Sequence, residues 1–280
     1  MGRERVLITV KTYPELSRKY GETVCTAGLR PDGTWIRIYP VPFRRLGEEE
    51  QYKKFDWVEC CFVRNESDPR PESHYPTDAK AMVRVGHLGT EENWRQRREL
   101  VLQKARVHTR MDELIAGAKA NALSLAVFKP ARVIEFLCEE AEERDWSQAR
   151  VDEMRQRANQ GELFPEEEWR TTFLLVRKLP YTFSYRFEDE AGRVSTLQIL
   201  DWEAGMLYWN CVKTCQGSES AALRLMKAKY LDEFLSRDVH FFMGTTLQWH
   251  FRAPNPWVIT GVFPIPHECQ LTLDLGTNEE

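Results

Sequence analysis

The segment from residue 139 to 168, EEAEERDWSQARVDEMRQRANQGELFPEEE, is almost wholly polar and carries no sustained apolar face. No packed core can be built on it, so it reads as a solvated helix and linker between two folding units. Ahead of it, residues 5–11 (RVLITVK), 22–29 (ETVCTAGL), 34–40 (TWIRIYP) and 55–64 (FDWVECCFVR) have the alternation or the apolar, aromatic content of strands. The dipeptide Asp32-Gly33 joins two of them as a hairpin. Residues 65–78 are rich in proline and turn formers and read as loop. A helical pattern runs from 93 to about 120, and short strand-like runs follow at 123–128 and 131–138. Behind the linker, strands are expected at 171–178, 181–188 and 193–200. Helices are expected over 201–215 and 219–235, then strands at 239–243 and 257–263.

The order strands, helix, strands thus occurs twice. It is the plan of the OB-fold, a five-stranded Greek-key barrel whose face often binds oligonucleotides. The expected fold class is α+β and β-rich, with two OB-like antiparallel barrels, each with an inserted helical segment. An N-terminal barrel spans 1–138, the charged helical linker 139–168, a C-terminal barrel 169–270 and a polar tail 271–280. The competing architecture is a single α+β domain with one large antiparallel sheet.

Three blocks point the same way: VKTYPELSRKYGETVCTAGLRPDGTWIRIYPVPFRRL, YTFSYRFEDEAGRVSTLQILDWEAGMLYWNC and NPWVITGVF. They resemble the signature blocks of the bacterial dual OB-containing domain family, from near the N-terminus to about residue 263. The resemblance implies the two-barrel fold and a nucleic-acid-binding role, in mobile-element or defence settings. It implies no catalytic residues.

Composition narrows the classes. No run of about 18 apolar residues exists to span a membrane, and the N-terminus enters a strand without an apolar signal core. Gly2 lacks the spacing for myristoylation. Seven cysteines, an odd count, fit reduced thiols in a cytoplasm better than disulfides. The net charge of −4 argues against coating nucleic acid by bulk charge. Residues 1–140 carry 24 Lys+Arg against 21 Asp+Glu, whereas 141–280 carry 15 against 22, so a phosphate-binding face is expected in the first half.

The richest candidate is DGTWIRIYPVPFRRL, residues 32–46. In an extended chain Trp35, Arg37 and Tyr39 share one face, and Ile36 and Ile38 share the other. Aromatic rings beside cations hold single-stranded nucleic acid by stacking, and Arg44 and Arg45 would meet phosphates at the edge of the groove. The structural reading of the same residues is that Trp35 and Tyr39 pack beneath the 93–120 helix or the second unit. Lys11, Tyr13, Arg18 and Lys19 form a basic, aromatic connection after the first strand, which in an OB barrel flanks the binding face. The basic run from Arg95 to Arg110 reads as a solvated helix face or a phosphate stripe.

Asp201 and Glu203, beside Trp202, invite an enzyme reading. No lysine of the kind a metal-dependent nuclease uses can be placed beside them, since Lys213 lies ten residues past Glu203. Asp201 as a helix N-cap, with Leu207, Trp209 and Cys211 as packing residues, is the simpler reading. Cys211 and Cys215 are one helical turn apart but match no zinc module. No phosphate-cradling glycine loop and no nucleophile elbow is present. The leading expectation is therefore a non-catalytic, cytoplasmic component of a multi-protein system that binds nucleic acid, single-stranded, with no metal and no cofactor. The rivals are an enzyme or nucleotide-sensing module with an inter-unit pocket around Asp201 and Glu203, and a protein–protein adaptor.

Overall fold

The computed structural model describes residues 2–17, 21–46, 51–159 and 176–267. It is a mixed α+β, β-rich fold with curled sheets. The first sheet is built from β1 (Glu4–Lys11), β2 (Glu15–Ser17), β3 (Gly21–Leu29), β4 (Trp35–Val41), β5 (Asp56–Cys60), β6 (Phe62–Arg64), β7 (Ser73–Pro76) and β8 (Val83–His87). β1 pairs antiparallel with β3 and β5, β3 with β4, and β6 with β7, while β4 and β7 run parallel. Only Cys61 separates β5 from β6. The strand at one end of the sheet, β6, and β5, next to β8 at the other end, are thus one run of chain, and the sheet curls around Val6, Ile8, Val24, Ile36, Ile38 and Val58.

The β3–β4 hairpin forms where the sequence places it. Asp32 Oδ1 accepts from the Thr34 amide and hydroxyl at 2.9 and 2.7 Å. Gly33 takes φ +87°, and a β-carbon there would lie 2.5 Å from the Lys104 carbonyl carbon. Only glycine serves both demands.

The second half of the chain follows α1 (Glu91–Arg98), which continues as a wider turn to Lys104. Its elements are β9 (Val107–His108), α2 (Met111–Lys119), β10 (Leu125–Phe128), β11 (Arg132–Glu140), α3 (Gln148–Asn159), β12 (Tyr181–Glu188), β13 (Val194–Gln198), α4 (Trp202–Thr214), α5 (Glu219–Lys227), β14 (Asp238–Thr245) and β15 (Trp257–Ile265). β11 pairs with β12 and β12 with β13; β10 pairs with β14 and β14 with β15, all antiparallel. A parallel bridge from Ile199 to Ile259 joins the end of β13 to β15. If β5 with β6, and β10 with β11, each count as one bent strand, both halves repeat one scheme. The first strand pairs the second and fourth, the second pairs the third, the third runs parallel to the fifth, and the fifth pairs the fourth.

The pairing corrects the expected boundary at residue 138. β10 and β11 were expected to complete the first unit, but they bond to β14 and β12 of the second. The first sheet is completed instead by β7, inside the proline-rich stretch read as loop. Four residues flanked by turns show no usable periodicity, which is why the strand is invisible in sequence. The polar segment becomes α3 within the second half rather than a connector between halves. Residues 160–168, most of the strand expected at 171–178 and the tail 271–280 lie outside the described residues.

A further core joins the halves. Leu7, Val10, Ala27 and Leu29, on the outer face of the first sheet, pack with Leu125, Val127, Phe242, Phe263 and Ile265 of the second. β1 is therefore apolar on both faces: Val6 and Ile8 look into its own curl, Leu7 and Val10 into the neighbour. At about 25 cal/mol per Å² of apolar surface removed from water, such a seam is a major stabilising term.

Candidate nucleic-acid interface

Trp35, Arg37 and Tyr39 share one face of β4, and Ile36 and Ile38 lie in the first core. That face is not an open groove, because the second half covers it. The Trp35 ring meets Phe242 edge-on at 6.2 Å. Arg37 is 2% exposed; its Nη2 donates to the carbonyl and hydroxyl of Ser124 at 3.0 and 3.1 Å, and its Nη1 to Cys25 Sγ at 3.4 Å. The expectation of a solvent-facing Trp-Arg-Tyr platform is corrected on this point: an outer sheet face lined by Leu7, Ala27 and Leu29 is too apolar to stay in water.

Lys11 is also buried. Its ammonium lies 4.1 Å from the Phe43 ring centre and 4.6 Å from that of Trp202. Burial, opposed by Glu203, lowers its pKa to about 8. Lys11 is therefore no phosphate grip on the surface. The Tyr13 hydroxyl donates to the Arg177 carbonyl at 2.8 Å and accepts from Trp209 Nε1 at 2.9 Å. Its ring lies on α4 at Gly205, where a β-carbon would come within 2.1 Å of it. Arg44 is half-buried in the short helical turn Phe43–Arg45. Arg18, Lys19 and the Arg45 side chain lie outside the described residues.

Three of these residues nevertheless meet in one place. Tyr13, Arg37 and Tyr39 line a cleft of about 520 Å³ between the two halves, with Asp68 and Arg70 from the β6–β7 loop and Thr245 and Thr246 at the end of β14. Arg70 is held by Asp68 through Nε at 2.9 Å and Nη2 at 2.6 Å, and it also donates to the Thr245 carbonyl. Burial opposes ionisation of Asp68, but Arg70 and the Ser73 hydroxyl outweigh it and hold its pKa at about 2. Arg37 has no such partner. Among the described residues no carboxylate lies within ion-pair distance of it, because Glu72 accepts from the Ser124 amide and hydroxyl at 2.8 and 2.6 Å. The cleft thus holds two guanidinium groups and one carboxylate.

Buried His250 ties its wall together. Its Nε2 faces the Asn121 side-chain oxygen at 3.0 Å and must donate, so Nδ1 accepts from the Thr245 hydroxyl at 2.9 Å. Burial and the Arg70 and Arg37 charges push the His250 pKa down, which favours this neutral tautomer. Beyond His250 the turn carries Leu247, Trp249 and Phe251, exposed by 49, 49 and 54%. Half-exposed aromatics on one short loop are unusual for a surface with no partner. They were missed in sequence, although two aromatics ahead of the turn-rich RAPNP in LQWHFRAPNP were a usable signal.

A second cleft, of about 340 Å³, abuts the first at Tyr13 and Leu200 and is lined by Trp146, Arg150, Lys178 and Tyr181. Lys178 Nζ lies 5.4 Å, and the Arg150 guanidinium 5.7 Å, from the Trp146 ring centre. Both clefts are lined by rings and cations: Trp146, Tyr181, Arg150 and Lys178 in one, Tyr39, Arg37 and Arg70 in the other, with Tyr13 in both.

Asp201 caps α4 as expected, with Oδ1 accepting from the Glu203 amide at 3.2 Å. The lysine that sequence could not place beside it is Lys54. Its Nζ meets Asp201 Oδ2 at 2.7 Å and Glu203 Oε2 at 3.1 Å. Burial opposes the Lys54 charge, and the two carboxylates outweigh it and raise its pKa. Both acids are thus engaged in a tie between the halves. Among the described residues, no group of three or more His, Cys, Asp or Glu is placed to hold a metal ion.

A family model, Domain of unknown function (DUF8757), matches residues 107–277. The chain belongs to that family. A second model, Domain of unknown function (DUF8758), matches residues 2–103. The division between the two falls just ahead of β9, where strand pairing also divides the chain. No curated protein matches. Among solved structures, the chain is similar to "Structure of murine DNA binding protein bound with ds DNA", at 10% identity and a TM-score of 0.29, over 96% of this chain and 99% of that one. No helix among the described residues is long and apolar enough to cross a membrane.

Proposed function

We propose that this chain is a non-catalytic nucleic-acid-binding protein, that its two halves are OB-like barrels of the dual OB-containing domain plan, and that single-stranded nucleic acid lies along the two abutting clefts. The repeated five-strand pairing scheme supports the barrel reading. In an OB barrel, oligonucleotides are bound by the second and third strands and by the loops after the first and fourth strands. The linings agree with that use. In the second half Trp146 and Lys178 lie between the first and second strands, and Trp249 and Phe251 between the fourth and fifth. In the first half Tyr13 and the Asp68–Arg70 pair lie in the equivalent connections.

The observation that carries the proposal is the Leu247–Phe251 loop, whose exposed aromatics adjoin a cleft with an excess of buried positive charge. Stacking on rings with cations alongside is tolerant of sequence and suits single strands. The engagement of Asp201 and Glu203 by Lys54 gives no support to a catalytic pocket there. The test is fluorescence anisotropy with labelled single-stranded oligonucleotides on wild type, Trp249→Ala and Phe251→Ala. Each substitution should weaken binding by about 1–3 kcal/mol, the worth of one base stack. Unchanged affinity in both variants overturns the assignment of this loop.

A further inference from the structure

Among the described residues, Arg37 is a buried charge with no direct ion pair. It is 2% exposed, its Nη atoms donate to Ser124 and Cys25, and among the described residues its Nε has no hydrogen-bond partner. A buried cation without a counter-ion is costly, and chains normally pair it. Here the neighbouring Arg70 is paired by Asp68, and the Glu72 carboxylate reaches Arg37 only through the Ser124 hydroxyl, which accepts from Arg37 and donates to Glu72. Arg37 lines the 520 Å³ cleft, and so does Thr246, whose buried hydroxyl has no hydrogen-bond partner among the described residues. Tyr39 and Thr23 line it as well, the Thr23 hydroxyl donating to the Tyr39 hydroxyl at 3.3 Å.

We propose that this cleft seats a terminal phosphate monoester, with Arg37 as its counter-ion and the cleft hydroxyls as hydrogen-bond donors. The inference rests on the nucleic-acid reading for the rest of the strand, whereas the seat rests on Arg37 and the cleft alone. A monoester fits better than a backbone diester because it carries about −1.5 to −2 charge near neutral pH and three strong acceptor oxygens, against a site with a buried guanidinium that has no direct ion pair and several hydroxyls. Three strands contribute to the wall: Arg37 on β4, Thr245 on β14 and Val258 and Thr260 on β15. The volume lies in the range of small-ligand pockets, about 300–1,000 Å³, enough for one nucleotide with its phosphate.

The experiment compares one oligonucleotide in three forms, with a 5′-phosphate, a 3′-phosphate or neither, the fluorophore being internal. Inorganic phosphate and a nucleoside monophosphate are titrated separately, with the melting temperature as readout. Wild type should bind one phosphorylated form about tenfold more tightly than the unphosphorylated one, the size of a charge-assisted hydrogen bond. Arg37→Gln should abolish that preference. Thr246→Val removes a hydroxyl that has no protein partner and keeps the side-chain shape. It should leave the melting temperature of the free protein unchanged and reduce the preference about threefold. It therefore tests the seat even if Arg37→Gln does not fold. Equal affinity for the three forms in wild type, or a full preference in Thr246→Val, overturns the seat while leaving strand binding intact. If no oligonucleotide binds but the monophosphate raises the melting temperature of wild type more than that of Thr246→Val, and not that of Arg37→Gln, the seat stands and the strand reading falls. If neither binds, both fall.

Discussion

Removing Lys54 should loosen the molecule at the seam between its halves. Its ammonium and the Asp201 carboxylate are 5 and 1% exposed and lie 2.7 Å apart, and they come from opposite halves. Lys54→Met preserves length and volume but leaves the buried Asp201 carboxyl without its cation; burial already raises the Asp201 pKa, so the carboxyl takes up a proton rather than stay charged. Breaking a buried pair from one side costs about 3–5 kcal/mol. The contact of Lys54 with Glu203 adds little, because that carboxylate is 58% exposed and an exposed pair is worth about 0–1 kcal/mol. Asp201→Asn is the matching variant, since Asn still caps α4 and the cap is not lost along with the pair. The double variant should recover about 1–3 kcal/mol relative to the sum of the single losses. Lys54 has a raised pKa in the folded state, so its contribution is fully present below its unfolded value of 10.5 and fades only as pH climbs above that. Urea unfolding at pH 7, followed by tryptophan fluorescence and circular dichroism, measures these quantities. A loss below about 1 kcal/mol in Lys54→Met, or strict additivity in the double variant, would refute the tie.

Other consequences can be measured alongside. The Asp68 pKa is depressed to about 2, so its pairing contributes stability above pH 3.8 that is lost as pH falls through 2; melting curves over this range should show a loss of about 2 kcal/mol that Asp68→Asn lacks. Lys11 is depressed to about 8 against an ordinary 10.5, so the unfolded chain binds the extra proton between these values and stability should rise with pH there; in Lys11→Met that slope should vanish. Trp35→Ala removes packing against Phe242 and should cost about 3 kcal/mol in unfolding experiments, whereas Trp249→Ala should stay within about 0.5 kcal/mol of wild type.

What sequence revealed was local. Asp32-Gly33 named its hairpin because the turn is encoded in two adjacent residues, and Ile36 and Ile38 named the inner face of β4 because strands alternate. Asp201 was legible as a cap for the same reason. The fate of the opposite face was not, since whether Trp35 and Arg37 meet water or Phe242 and Ser124 depends on a partner sheet far along the chain. The Lys54–Asp201 tie spans 147 residues and leaves no mark on spacing at either end. β7 has only four residues, and its strand character comes from β4 beside it. Misplacing that strand moved the boundary, because the runs that became β10 and β11 were then needed to finish the wrong sheet.

The most direct measurement is anisotropy of an internally labelled single-stranded oligonucleotide with wild-type protein, titrated over a salt series. Binding through phosphate contacts releases counterions, so log K should fall linearly with log salt, with a slope of about −0.7 for each phosphate contacted on a single strand. Binding at low salt with such a slope, reduced in Lys178→Ala and weakened without change of slope in Trp249→Ala, is the expected result. No binding at low salt, or equal affinity in all three proteins, contradicts the account.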